Sequence, residues 1–352
     1  MAACRYLSNI VTLQIGEVVH LLQAVRLPRP EGARAIVHFS VDLMQQTASE
    51  LHPAPAQAVY LKRLALHAPD GAATECAAHG PAIVVAGERS ERMEMHFAEP
   101  YGLVPNASDV WRADLHLIRT EGIKVPIEHA QQCACMREDI GSTHCCPHSC
   151  RFPSQKQDVA AAQYRLSIAL TWTIVDAEAA AAPQILPLTP FWVPVGGPGA
   201  SFSAPRQIPS PCQSTATSSR TTEFDVLACR ENQCKGSAAT RFGPWFELDS
   251  HLIPVAALAV TGPRLRRASL VSGEGVLAGQ QHEVCNIAAR DAIPSCALLP
   301  ATQTLAGARK REQQPSVSSQ IQARAEFDAT APILGADVGF IVYAASQQVL
   351  GS

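Results

Sequence analysis

Five cysteines and two histidines fall in one short stretch, Cys133-Ala134-Cys135 followed by His144-Cys145-Cys146-Pro147-His148-Ser149-Cys150. Thiols and imidazoles at that density are either metal ligands or disulfide partners. Tetrahedral zinc usually takes Cys-x₂₋₄-Cys or His-x₃₋₅-His knuckles at separated positions, whereas the pairs here are Cys-x-Cys and adjacent Cys-Cys. Adjacent cysteines suit a disulfide-stapled loop, where each sulfur reaches a different partner and the staples replace a missing core. Disulfides are the favoured reading, with zinc and reduced structural thiols as alternatives. Five is odd, so one sulfur pairs elsewhere, with Cys76 for example, or stays free. Cys229 and Cys234 are further disulfide candidates, and the pairing is not legible from spacing.

The histidines are scattered. His116 shares one side of an alternating run with Arg112 and Asp114, which favours a hydrogen-bonded structural histidine over a metal ligand. His67, His79, His96 and His129 are the residues from which other loops could rebuild a site. Gly273-Glu274-Gly275 lacks the strand-to-helix setting of a phosphate loop, and no nucleophile elbow or zincin motif occurs. Arg264, Arg266 and Arg267 form one short basic cluster, and Arg266 to Ser269 has the form of a kinase site, although a solvated loop face is the favoured reading. A net charge of -3 gives no broad positive field, so no nucleic-acid partner is expected.

Twelve cysteines and one Asn-x-Ser/Thr sequon, Asn106-Ala107-Ser108, favour an extracellular or secretory-pathway protein with a glycosylation candidate at Asn106. The first twenty residues do not form a clear signal peptide: Arg5 is the only basic residue before Ser8, Asn9, Gln14 and Glu17 interrupt the apolar stretch. No apolar run of about 18 residues supports a transmembrane helix.

The elements that would position these groups read as strands. Tyr164, Leu166, Ile168, Leu170, Trp172 and Ile174 alternate with polar neighbours, Trp111, Ala113, Leu115 and Leu117 repeat the pattern, and Ala35, Val37, Phe39 and Val41 form a third row. His251 to Val260 and Val338 to Tyr343 read as buried strands. An apolar fraction of 47% over 352 residues suffices for two cores, and 26 prolines and 21 glycines between short strands point to an all-β fold of two β-sandwich domains with long irregular loops. The expected domains are 1–155, carrying a Cys-rich loop at 129–153, and 156–352, with the boundary between Cys150 and Tyr164. Residues 177–183, 196–222 and 303–323 read as linkers or insertions, and mobility is expected of the last two.

Several segments in order resemble the stress up-regulated nodulin family of plants and algae. Phe97-Ala98-Glu99-Pro100-Tyr101-Gly102-Leu103 is close to its Asp-Pro-Tyr-Gly-Ile motif, and Trp111-Arg112-Ala113-Asp114-Leu115-His116 to its Trp-Leu-Leu-Asn-Val-His strand. The cysteine spacing from Cys133 to Cys150, Glu223-Phe224-Asp225-Val226-Leu227-Ala228-Cys229, and the apolar end from Gly335 to Ala345 continue the match. That family is similar, at a distance, to copper type II, ascorbate-dependent monooxygenases, which implies two jelly-roll domains with one copper on each. One copper takes a His-His pair and a later histidine, and the other a His-x-His pair and a methionine. Carried over by position, the first pair falls at Lys62 and Arg63, the second at Ala257 and Ala259, the methionine near Asp337, and His116 alone matches a ligand. Cations repel copper and alanine offers no lone pair. The resemblance therefore implies a non-catalytic, stress-associated, secreted-type protein with degenerate copper sites, no cofactor and an unknown partner. The alternative is a metal-dependent oxidoreductase, copper being its cofactor, that uses unmatched ligands.

Overall fold

The computed structural model describes residues 1–55, 57–69, 79–89, 92–105, 110–124, 150–151, 160–174, 185–195, 206–207, 238–249, 252–260, 265–273, 281–288, 295–298, 320–328 and 339–346. The alternating runs form strands, and among the described residues no helix occurs. Among these residues no helix is therefore long and apolar enough to cross a membrane. In chain order the strands are β1 (Ala2–Leu7), β2 (Val11–Leu13), β3 (Glu17–Arg26), β4 (Ala33–Gln46), β5 (Leu51–Pro53), β6 (Val59–Pro69) and β7 (His79–Arg89). They continue as β8 (Met93–His96), β9 (Tyr101–Gly102), β10 (Val110–Arg119), β11 (Cys150–Arg151), β12 (Ala162–Ile174), β13 (Leu186–Pro194) and β14 (Arg206–Gln207). The last are β15 (Ala238–Glu247), β16 (Leu252–Val260), β17 (Leu265–Gly273), β18 (Gln281–Ala288), β19 (Ser295–Ala297), β20 (Gln320–Asp328) and β21 (Gly339–Ser346).

Four sheets result. The first runs β1-β12-β4-β5, with β2 on β12 and β8 on β4, and the second runs β11-β3-β10-β6-β7. The third runs β14-β13-β21-β16-β19, with β9 alongside β13, and the fourth runs β15-β20-β17-β18. The chain is thus all-β.

One apolar cluster joins the first sheet (Phe39, Ile168, Trp172) to the second (Leu64, Leu115) and also takes in Leu188, Leu258 and Tyr343 of the third. Another lies between the third sheet (Val193, Ala259, Phe340) and the fourth (Leu270, Phe327). The third sheet is therefore buried on both faces. Along β21, Phe340, Val342 and Ala344 point into one cluster and Ile341, Tyr343 and Ala345 into the other, which is why this stretch reads as an unbroken apolar run.

The expected division at 155/156 does not follow the hydrogen bonds. β12 pairs over its length with β4, and with β1 on its other edge, so Tyr164 to Ile174 belongs with the N-terminal strands and the change of sheet comes after Ile174. The expected row Ala35, Val37, Phe39 and Val41 is also split. Thr171 pairs with His38 and Trp172 with Ile36, so Val37 is an extra residue, and each bulge of this kind reverses the facing of what precedes it. Phe39 and Val41 face the shared core together with Ile36, whereas Ala35 and Val37 turn to the other side. There they meet Gly102, where an added Cβ would stand 2.9 Å from the Cβ of Ala35 and 3.2 Å from the carbonyl oxygen of Ile36. Some residues of the insertions expected to be mobile are in strands: Arg206 and Gln207, within 196–222, pair with Trp192 and Phe191, and Gln320 to Ala323, at the end of 303–323, begin β20. The remainder of 196–222 and 303–323, and all of 177–183, lie outside the described residues.

Candidate functional site

β10 is the middle strand of the second sheet, and its two faces differ in chemistry. Trp111, Ala113, Leu115 and Leu117 enter the apolar cluster, as expected from their alternation. The opposite face carries Arg112, Asp114 and His116, and the last two are only 3% and 8% exposed. Antiparallel pairing sets His67 of β6, fully buried, across from Arg112. His67, Asp114 and His116 all have interaction partners, as buried polar groups require. His116 stands between His20 of β3 and Arg63 of β6 in register, and Lys62 is the extra residue of a bulge, because the next pair is Leu117 with Leu61. The sites implied for a copper-binding His-His pair thus lie beside His116 in the backbone, occupied by Lys62 and Arg63.

Ala257 and Ala259 of β16 are 0% exposed and face the cluster between the third and fourth sheets, opposite Val342 and Phe340 of β21. Their neighbours on that face are hydrocarbon and the sulfurs of Cys285 and Cys296, the latter paired with Ala257. Val255, two residues from Ala257, is displaced from their face by a bulge, since Pro254 pairs with Ala344 and Ala256 with Tyr343, and it joins the other cluster with Leu258. Asp337 lies outside the described residues, as do His79's side chain and His129. The donors present do not fit the implied copper sites: one imidazole, two alanines and two cationic residues supply too few lone pairs. Among the described residues, no group of three or more His, Cys, Asp or Glu is arranged to hold a metal ion.

The disulfide that the structure describes uses no cysteine of the Cys-rich segment. Cys285 of β18 and Cys296 of β19 form a disulfide, with Cα atoms 5.8 Å apart, that ties an edge strand of the fourth sheet to an edge strand of the third. Neither cysteine stood out in the sequence. The available signal was that both sit in short apolar runs on either side of Pro294, eleven residues apart. Cys76, Cys133, Cys135, Cys145, Cys146, Cys229 and Cys234 lie outside the described residues, as does Asn106. The backbone of Cys150, expected in a loop, is in β11, paired with Val18. Cys4 is a free thiol, half-buried on β1.

A polar network that sequence reasoning missed covers the outer face of the first sheet. β4 and β8 pair His38 with His96 and Ser40 with Glu94. His38 Nε2 lies 2.7 Å from Glu94 Oε1, and the two imidazole centroids are 6.0 Å apart with planes tilted by 50°. Arg92 reaches Glu94 Oε2 at 3.4 Å and Asp42 Oδ2 at 3.8 Å, and it donates to Ser40 Oγ at 3.3 Å. Burial raises the Asp42 carboxyl above the ordinary carboxylate range, Arg92 and Arg5 pull it back, and Glu94 adds to the rise. Residues two apart on adjacent strands assemble this patch, so it has no signature along the chain.

No protein-family model matches the chain, and no curated protein compared with it matches either.

Proposed function

We propose that the chain is a non-catalytic, secreted-type protein that acts by binding or as a structural glycoprotein, with the copper positions of a nodulin-like lineage emptied. On this reading the first and second sheets make one jelly-roll-like β-sandwich, and the third and fourth make another. The observation that carries it is the state of Ala257 and Ala259: both are fully buried in a cluster of hydrocarbon and the Cys285–Cys296 disulfide, where a copper pair would need two nitrogens and access for substrate. The register that pairs Arg63 with His116 adds to this, because an arginine at the position implied for a second ligand offers a cation in place of a lone pair. The disulfide between Cys285 and Cys296 supports an oxidising compartment. The stress association rests on the resemblance of the motifs at Phe97 to Leu103 and Trp111 to His116.

A metal-dependent oxidoreductase is the competing reading, and the register that sets His116 opposite His20 is the observation in its favour. Metal analysis of the purified chain separates the two. We expect no stoichiometric copper after exhaustive dialysis, and none after Ala257→His and Ala259→His are introduced together. Dialysis-resistant copper that is lost on His116→Ala overturns the non-catalytic reading.

A further inference from the structure

The outer face of the first sheet holds two imidazoles in a setting that neither the resemblance nor the reading above uses. Directly opposed residues of an antiparallel pair share a face, with Cβ atoms about 4.5–5.5 Å apart. His38 and His96 occupy such a pair, and the strands beneath them are fixed by Phe39, Met93, Met95 and Phe97, all at most 1% exposed. The His38 side chain is 21% exposed and His96 is open to solvent. A carboxylate only accepts hydrogen bonds, so Nε2 of His38 donates to Glu94 Oε1, which leaves the lone pair of the neutral ring on Nδ1. A carboxylate behind a histidine in this way fixes the tautomer and strengthens the other nitrogen as a metal donor. Arg92 in turn holds the second oxygen of Glu94, and Asp42 offsets the charge of Arg92.

Two imidazoles bound to one tetrahedral ion at about 2.0–2.1 Å have their centroids about 5 Å apart. The observed 6.0 Å is within about 1 Å of that spacing. Imidazole nitrogens select zinc, copper(II) or nickel over calcium and magnesium. We propose that His38 and His96 form a two-histidine chelate for a divalent ion of the zinc and copper(II) class. Water completes the coordination, and Glu94 acts as the positioning residue. The lack of a third protein donor among the described residues makes this an open, exchangeable site and not a closed structural cage.

The test is zinc titration of the untagged full chain at neutral pH, by calorimetry and by competition with a chromophoric chelator, with circular dichroism confirming that each variant is folded. The expected result is that the His38→Ala, His96→Ala double variant takes up one equivalent less zinc than the wild-type chain, and that Glu94→Gln binds this equivalent about 10–100-fold more weakly. Glu94→Gln is also expected to change the His38 tautomer read from imidazole nitrogen shifts, and His116→Ala to leave uptake unchanged. Equal zinc uptake by the wild-type chain and the double variant overturns the proposal. Because the readout is an exchangeable zinc ion at His38, it is independent of the dialysis-resistant copper at His116 that decides the reading above.

Discussion

At Asp42, burial and charge act in opposite directions. Desolvation raises its carboxyl more than Arg92 and Arg5 lower it, so the folded-state pKa lies above the unfolded one. A group shifted this way contributes stability that is fully present below the unfolded pKa and is lost as pH rises through the folded pKa. At neutral pH the ionised carboxylate is therefore a net cost to the fold. Asp42→Asn should melt at the same or a higher temperature than the wild-type chain at pH 7, with the difference closing as the pH falls through the carboxylate range. A lower melting temperature at pH 7 would show instead that the pair with Arg92 outweighs burial. None of this was legible in the sequence, because Asp42, Arg92 and Glu94 meet only when β8 lies against β4. Nor was the turning of Ala35 and Val37, since a bulge inserts one residue without leaving any mark in an alternating pattern.

Among the elements, strands that are apolar on one or both faces were the most legible. β12 and β10 follow their alternation closely, and β16 and β21 were expected as buried strands. Partnership was not legible, because the period of two assigns a side chain to a face and is silent about which strand lies alongside. Thus β12 could be recognised while its place between β1 and β4 could not. The same limit hid the disulfide, which joins two short edge strands of different sheets. Its closed loop is short, with a separation of 11 residues, and loss of the bridge from a loop of this size costs about 3 kcal/mol through the unfolded chain. The double variant Cys285→Ser, Cys296→Ser is expected to lose roughly that amount in urea unfolding without reductant, and to respond no further to reductant at this bridge.

For the whole molecule, the segment after β8 decides how the halves relate. Phe97 is 1% exposed, packs edge-on to Tyr343 of the third sheet at 4.9 Å between centroids, and tilts against Phe39 of the first. A few residues on, β9 pairs in parallel with β13, Leu186 N donates to Pro100 O at 3.0 Å, and Leu103 bridges Ile36. Phe97→Ala should cost about 3–5 kcal/mol, the usual range for truncating a buried phenylalanine. Because its ring contacts both halves, calorimetry should show one transition moved to lower temperature; two separated transitions, with only one displaced, would show that the halves melt independently. Burial of Ala257 and Ala259 agrees with the reading of His251 to Val260 as a buried strand, while the sharing of the third sheet between two clusters was beyond what a strand pattern conveys. The thread from Phe97 to Leu103 thus acts as a clasp: a cut along it would release β9 from β13 and strip each half of a rung that the other supplies.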